Sequence, residues 1–189
     1  MLVVFDLELT AWPGSAARNW SAPGEHPEII QIGAVRLDGA LREIAAFDLA
    51  VRPRLNPILS EYIKDLTGLT QERIDREGVE LTVALARLAA LASDAFALVS
   101  NGRDQDCILR NVALIGIGNP LAAMRFLDLG PHFRHSAGRE AHVVSSTLPE
   151  VFGFAPSGRI HDGLADARAV AEALRRTLPR GGLSALLAR

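Results

Sequence analysis

The opening run Leu2 to Leu9, LVVFDLEL, constrains this chain more than any other segment. Apolar and β-branched residues fill it almost completely, which predicts a strand buried on both faces. Such a strand needs neighbours in its own sheet and covering layers above and below. Two acidic residues interrupt it, Asp6 and Glu8. Side chains alternate along a strand, so both carboxylates project from the same face. Two desolvated, unpaired carboxylates side by side cost several kcal/mol. Three arrangements relieve that cost: a face open to water at a strand end, arginine partners, or a divalent cation held by the oxygen pair.

The next segments define the sheet. Residues Ala11 to Pro27 form a loop rich in Pro, Gly and Ser, long enough to suggest a functional role. Glu28 to Leu37, EIIQIGAVRL, reads as a second strand. Asp38 and Gly39 supply a hairpin turn into a third strand over Glu43 to Val51. These three strands make an antiparallel meander. The period then changes. Leu59 to Leu66 and Gln71 to Asp75 read as short helices, and Leu81, Leu85, Leu88 and Leu91 mark a longer amphipathic helix ending near Ser93. Phe96 to Ser100 is a fourth strand, followed by a helix carrying Ile108 and Leu109 on its core side. A fifth strand lies around Arg125 to Leu129. Two helices follow, the second an Ala-rich one over Leu164 to Leu178 that is stopped by Pro179, Gly181 and Gly182. The fold class is α/β: a mixed sheet with a three-strand meander, flanked by helices. No repeat or linker divides the chain, which gives one domain over 1–178 and a short tail over 179–189.

Composition narrows the function. The chain has 189 residues, 20 basic against 22 acidic, for a net charge of -2. A protein that coats nucleic acid by bulk charge would be strongly basic. An enzyme that grips a few nucleotides and holds cations in an acidic pocket fits this balance. Cys107 is the single cysteine, so an internal disulfide and a cysteine-built zinc site are excluded. The start carries no secretory pattern, and Glu80, Arg87, Ser93 and Asp94 break the most apolar later stretch. A cytoplasmic protein without a membrane span is the expectation.

Two further acidic positions join Asp6 and Glu8. In SNGRDQDCIL, Asp104 and Asp106 lie where the chain turns into a helix. Helix capping accounts for one of them well and for two less well. In IHDGLADARAVAEAL, Asp162 suits the cap of the last helix, leaving Asp166 in its first turn and His161 five residues before it. The other histidines, His26, His132, His135 and His142, read as surface or packing residues.

Together these clusters resemble the DEDDh-type (DnaQ-like) 3′-to-5′ exonucleases. Asp-x-Glu in the first strand matches Asp6 and Glu8, and His-x4-Asp matches His161 and Asp166. The middle aspartate opens a helix after a central strand. The order of elements and the stretch LTGLTQERI at Leu66 to Ile74 also match. FDLE, the long loop and the SNG segment lean towards the Eri-1/KapD-like RNA-trimming branch. The middle motif departs from the Ser-Trp-Gly form of many relatives. Asp104 is taken as the ligand because Ile108 and Leu109 then fall four and five residues later; Asp106 is the runner-up.

The resemblance implies a ribonuclease H-like sheet. It also implies two divalent metal ions, Mg²⁺ or Mn²⁺, held by Asp6, Glu8, Asp104 and Asp166, with His161 as general base. Phosphodiester bonds at 3′ ends of single-stranded RNA or DNA would be hydrolysed to 5′-mononucleotides. Backbone at Leu9 and Thr10 would touch the terminal nucleotide. Trp12 and Trp20 are either base-stacking platforms or loop anchors. Arg18 and Arg103 could meet phosphates, whereas Arg175 and Arg176 read as a solvated helix face. A homodimer is one assembly considered. Two other functions compete: a noncatalytic binding module on the same fold, and a phosphodiesterase for short oligonucleotides.

Overall fold

The computed structural model describes residues 1–178 and Gly182. The expected tail, with its stop signals Pro179 and Gly181, lies outside the described residues. Five strands form one mixed sheet in the order β3-β2-β1-β4-β5, with β1 at Leu2–Leu9, β2 at Ile29–Leu37, β3 at Glu43–Ala50, β4 at Ala97–Ser100 and β5 at Phe126–Asp128. The first three form the expected antiparallel meander, while β4 runs parallel to β1 and β5 parallel to β4.

β1 is the central strand, and its two faces bury different helices. Val3, Phe5 and Leu7 point into one apolar layer with α3 (Leu81–Leu91) and α4 (Asp104–Ile115). Leu2 and Val4 point into the other, against α7 (Gly163–Thr177). Each such side chain taken from water contributes about 1.5–3 kcal/mol. Asp6 and Glu8 continue the α7 face by the period of two. The same face is therefore apolar for half its length and acidic for the rest.

Strand length explains where that change falls. β4 pairs with β1 only from Leu2 to Val4. Beyond Val4 the chain of β4 has turned into the start of α4, so the last residues of β1 have no partner on that side. The crevice that opens there is bounded by strand ends and a helix N-terminus, the usual place for a site in α/β sheets.

Several elements differ in detail from the sequence expectation. The β2–β3 turn places its left-handed residue at Leu41, with φ 60°, and not at Gly39. Asp38 causes this, because its carboxylate accepts from the amides of Ala40 and Arg42 and sets a longer turn. Leu41 is then buried, and packing compensates the strain of its backbone. Ile108 is fully buried as expected, but Leu109 is exposed; the helix turns its core stripe through Cys107, Ile108 and Val112. Among the described residues up to Leu178, three helices follow β5 where two are expected: α5 (Gly130–Ser136), α6 (Leu148–Phe152) and α7, with a 3-10 turn at Ser145–Thr147. The short helices α1 (Glu61–Thr67) and α2 (Gln71–Glu77) are capped by Ser60 and Thr70. Among the described residues no helix is long and apolar enough to cross a membrane.

Candidate active site

Four carboxylates converge in the crevice from three distant segments. Asp6 and Glu8 come from the end of β1. Asp104 is the first residue of α4, and Asp166 lies in the first turn of α7. Glu8 and Asp166 are 8% and 5% exposed, and neither pairs with a cation. Indeed, among the described residues no ion pair involves Asp6, Glu8, Asp104 or Asp166, although thirteen are formed elsewhere. The arginine partners considered from sequence are absent here.

The electrostatic consequence is large. Burial, followed by repulsion from Asp104, Glu8 and Asp166, holds the Asp6 carboxyl well above its usual range. Burial and repulsion by Asp166, Asp162 and Asp104 push Glu8 up to about 9. Burial raises Asp104 to about 6 against an opposing hydrogen bond from Ser100. It also raises Asp166 to about 6, opposed by the backbone N–H of His161. One atom each of Glu8, His161 and Asp166 lies within 4.8 Å of the other two. A crowd of hard oxygen donors lacking positive charge fits divalent cations of the Mg²⁺ or Mn²⁺ type.

Placement separates the two middle aspartates. Asp104 sits close enough to Asp6 to be its strongest repelling neighbour. Asp106 is turned outward and pairs with Arg103 at 2.6 Å. Asp162 caps α7 by accepting from the Ala165 amide at 3.0 Å. His161 precedes the cap in a left-handed conformation, φ 59°. Burial and then the Arg159 charge lower its pKa, which favours the neutral imidazole.

The long loop folds around its own residues. Trp20 donates its indole N–H to the Thr10 carbonyl at 2.8 Å and packs on the cluster of Ala11, Ile30 and Leu59, so it is an anchor. Arg18 is held by Glu25 and the Pro13 carbonyl, which ties it into the loop. Thr10 is buried, and its amide, carbonyl and hydroxyl all bond within the protein, to Glu28, Trp20 and His26. Leu9 instead lines a groove with Asn19, Trp20, Arg103 and Arg110.

Sequence reasoning missed three neighbours of the site. Ser145 donates to Asp6 at 3.2 Å and accepts from the buried Asn101 amide at 3.3 Å. Asn111 ties the end of the loop to α4 through the Ile29 amide and the Pro27 carbonyl. Gln31 joins β2 to the start of α7. Only Gln31 carried a signal: a fully polar side chain inside an otherwise apolar strand.

A pH dependence follows from these shifts. Folded-state pKa values above the unfolded ones mean that the metal-free protein keeps this stability only while the acids are protonated. The contribution is full below pH 4 and is lost as pH rises through about 6 for Asp104 and Asp166 and about 9 for Glu8. The melting temperature without metal should therefore fall from pH 6.5 to pH 9. At pH 8, Mn²⁺ at about a hundred times its dissociation constant should raise it by roughly 5–10 °C. Differential scanning fluorimetry checks both; a metal-free melting temperature that rises over this range contradicts the picture of unpaired carboxylates.

Comparison with known proteins agrees with this geometry. The sequence pattern of the RNase_T exonuclease family matches residues 3–174. ERI1 exoribonuclease 2 of Mus musculus is 31% identical over 192 residues, covering 88% of this chain and 27% of its own length. The chain thus spans about a quarter of that curated relative. A full-length 3′-exonuclease structure aligns with TM-score 0.80 at 24% identity, over 96% of this chain and 82% of the other. The nuclease domain of 3′hExo, a DEDDh family member bound to rAMP, aligns with TM-score 0.75 at 24% identity, over 93% and 90%. These likenesses support the ribonuclease H-like fold and the Eri-1-like DEDDh branch, and give the homodimer no support. With the family pattern running through all four carboxylates and His161, this chain belongs to the RNase_T exonuclease family.

Proposed function

We propose that this chain is a metal-dependent 3′-to-5′ exonuclease that releases 5′-mononucleotides from single-stranded nucleic acid, with RNA as the favoured substrate. One observation carries the reading. Four carboxylates and a histidine, from segments up to 160 residues apart in sequence (Asp6 to Asp166), meet without a single cation partner among the described residues. Keeping such a cluster costs stability, so it is explained by what it binds. The preference for RNA is supported by likeness to proteins named exoribonucleases.

In this reading Asp6, Glu8, Asp104 and Asp166 would hold two divalent ions, Mg²⁺ or Mn²⁺, which when bound would supply charge neutralisation at the phosphate and lower the pKa of an attacking water. His161, kept neutral by burial and Arg159, is the group able to accept a proton there. The His161 backbone N–H lies close enough to the Asp166 carboxylate to oppose the rise in its pKa. Ser145 orients Asp6, while the Ser100 hydroxyl, donated to the Gly102 carbonyl, lies near enough to Asp104 to oppose the rise in its pKa. Leu9 offers an apolar surface to the terminal nucleotide. Arg103 and Arg110 flank the same groove, where phosphates of the incoming strand would lie. Thr10, with every polar group engaged internally, supports Leu9 from behind.

The test uses 5′-labelled single-stranded RNA, single-stranded DNA and a dinucleotide, each with Mn²⁺ or with EDTA. A ladder shortening from the 3′ end, abolished by EDTA, is the expected result. Asp104→Ala should remove the activity, whereas Asp106→Ala should keep it within about threefold. Cleavage in EDTA, or absence of cleavage of any of the three substrates, overturns the assignment. Loss of activity in Asp106→Ala alone moves the middle ligand to Asp106.

A further inference from the structure

The first turn of α7 carries Asp166 and follows directly on His161, so its placement decides the geometry of the site. What fixes that turn is a side chain from the sheet. Gln31 of β2 is fully buried and stands opposite Glu8 across the β1–β2 ladder. Its carbonyl oxygen accepts from the Gly163 amide at 3.0 Å. Its amide nitrogen donates to Asp162 at 3.0 Å and to Asp48 at 2.7 Å. Both N–H groups and the oxygen of the amide are engaged, which fixes its orientation. Gly163 offers only a donor, so the Gln31 oxygen must face it, and the nitrogen must then face the two carboxylates.

We infer that Gln31 is a positioning residue for hydrolysis, clamping the His161–Gly163 turn so that His161 and Asp166 keep their catalytic placement. The turn needs such a clamp. His161 lies in the left-handed region at φ 59°, which costs a non-glycine residue about 1–2 kcal/mol and persists only when its surroundings hold it. Gly163 would otherwise have one of the free amide donors of a helix start. Asp162 makes a second link: its side chain caps α7 and accepts from Gln31, and its carbonyl accepts from the Asp166 amide at 2.8 Å. Gln31 therefore reaches Asp166 through one residue and His161 through the same turn. It does so without touching the reacting atoms.

The inference rests on the exonuclease reading, and two controls keep the two apart. Wild-type protein must first give the EDTA-sensitive ladder; if it does not, the functional reading fails and Gln31 is not at issue. Three variants are then compared: Gln31→Leu, Asp162→Asn and Asp48→Ala. Asp162→Asn keeps a good helix cap and removes the acceptor that faces the Gln31 nitrogen, together with one charge that repels Glu8 and Asp166; exchange at the Gly163 amide separates the two effects. Asp48→Ala removes the third Gln31 bond together with the Arg73 ion pair of β3, but leaves the α7 contacts in place. It reports what lost stability alone does.

Gln31→Leu should lower kcat by roughly 30-fold or more with KM within about twofold, as misplacement of catalytic groups does. Asp162→Asn should lower kcat about three- to tenfold with little change in melting temperature. Asp48→Ala should lower the melting temperature but hold kcat within about threefold. Amide hydrogen exchange supplies a reading independent of activity. In Gln31→Leu the Gly163 amide should exchange at least tenfold faster while the middle of α7 stays protected. If Gln31→Leu fails to fold, Asp162→Asn alone decides, by its kcat and by faster exchange at Gly163. Overturning results are kcat within twofold of wild type in Asp162→Asn and folded Gln31→Leu, unchanged Gly163 exchange, or kcat losses that follow melting temperature across all three.

Discussion

Asp6→Asn should move activity and stability in opposite directions. The substitution keeps the shape of the side chain and its hydrogen bond with Ser145, but removes a carboxylate that is desolvated and repelled by three others. Hydrolysis in Mn²⁺ should fall by on the order of 10³-fold, since losing a metal ligand removes several kcal/mol of transition-state stabilisation. Without metal at pH 8, the melting temperature should rise by a few degrees, because folding no longer has to desolvate or protonate a carboxyl at this position. The Mn²⁺-induced rise in melting temperature should shrink in the same variant. Activity within tenfold of wild type, or a metal-free protein less stable than wild type, would contradict the picture of four acids waiting for cations. A buried carboxylate whose main role was structural would lower both.

The second large effect is expected at a residue that carries no charge itself. Gly33 pairs with Asp6 across the β1–β2 ladder, and the start of α7 lies directly on it. A Cβ at this position would stand 2.0 Å from the backbone of Gly163 and of Leu164. No side-chain rotation relieves a contact with two backbone atoms, so Gly33→Ala must push the helix start off the sheet. Overpacking of this kind costs about 1–3 kcal/mol and sometimes more, or roughly 2–12 °C in a domain of this size. Activity should fall by at least about 10²-fold, because His161 and Asp166 move with the helix start. Gly39→Ala is the control: it meets nothing within 4 Å at an ordinary backbone angle, and should leave activity unchanged and the melting temperature within about 1 °C. Steady-state kinetics and thermal unfolding of the two variants settle the matter. Gly33→Ala with near wild-type activity would show that α7 can shift without disturbing the site.

Gly33 and Gln31 show why the site was only partly legible in the sequence. Asp6 and Glu8 could be read because their signal is local: two acids at period two in an apolar strand. Asp166 and His161 stood out through their spacing at a helix start, with Asp162 available as the cap. Asp104 and Asp106 were harder, since both suit the first turn of a helix and only the position of Asp6 distinguishes them. Ser145 and Asn101 gave no signal, because their partners lie up to 139 residues away in sequence. The same holds for Thr10 and Arg18, whose polar groups are taken up by Glu28, Trp20 and Glu25. Leu41 in place of Gly39 follows from the Asp38 carboxylate, which selects the longer turn.

The sequence by itself determined the meander, the burial of β1 on both faces and the one face on which Asp6 and Glu8 sit. Periodicity and turn chemistry act between near neighbours and need no knowledge of the rest of the chain. The tertiary structure decided that the acids have no cation partners among the described residues, that Asp104 and not Asp106 joins them, and that α7 starts flush against Gly33 under the hold of Gln31. Those outcomes depend on how β4 ends short of β1 and how closely two backbones approach, distances that no local pattern encodes.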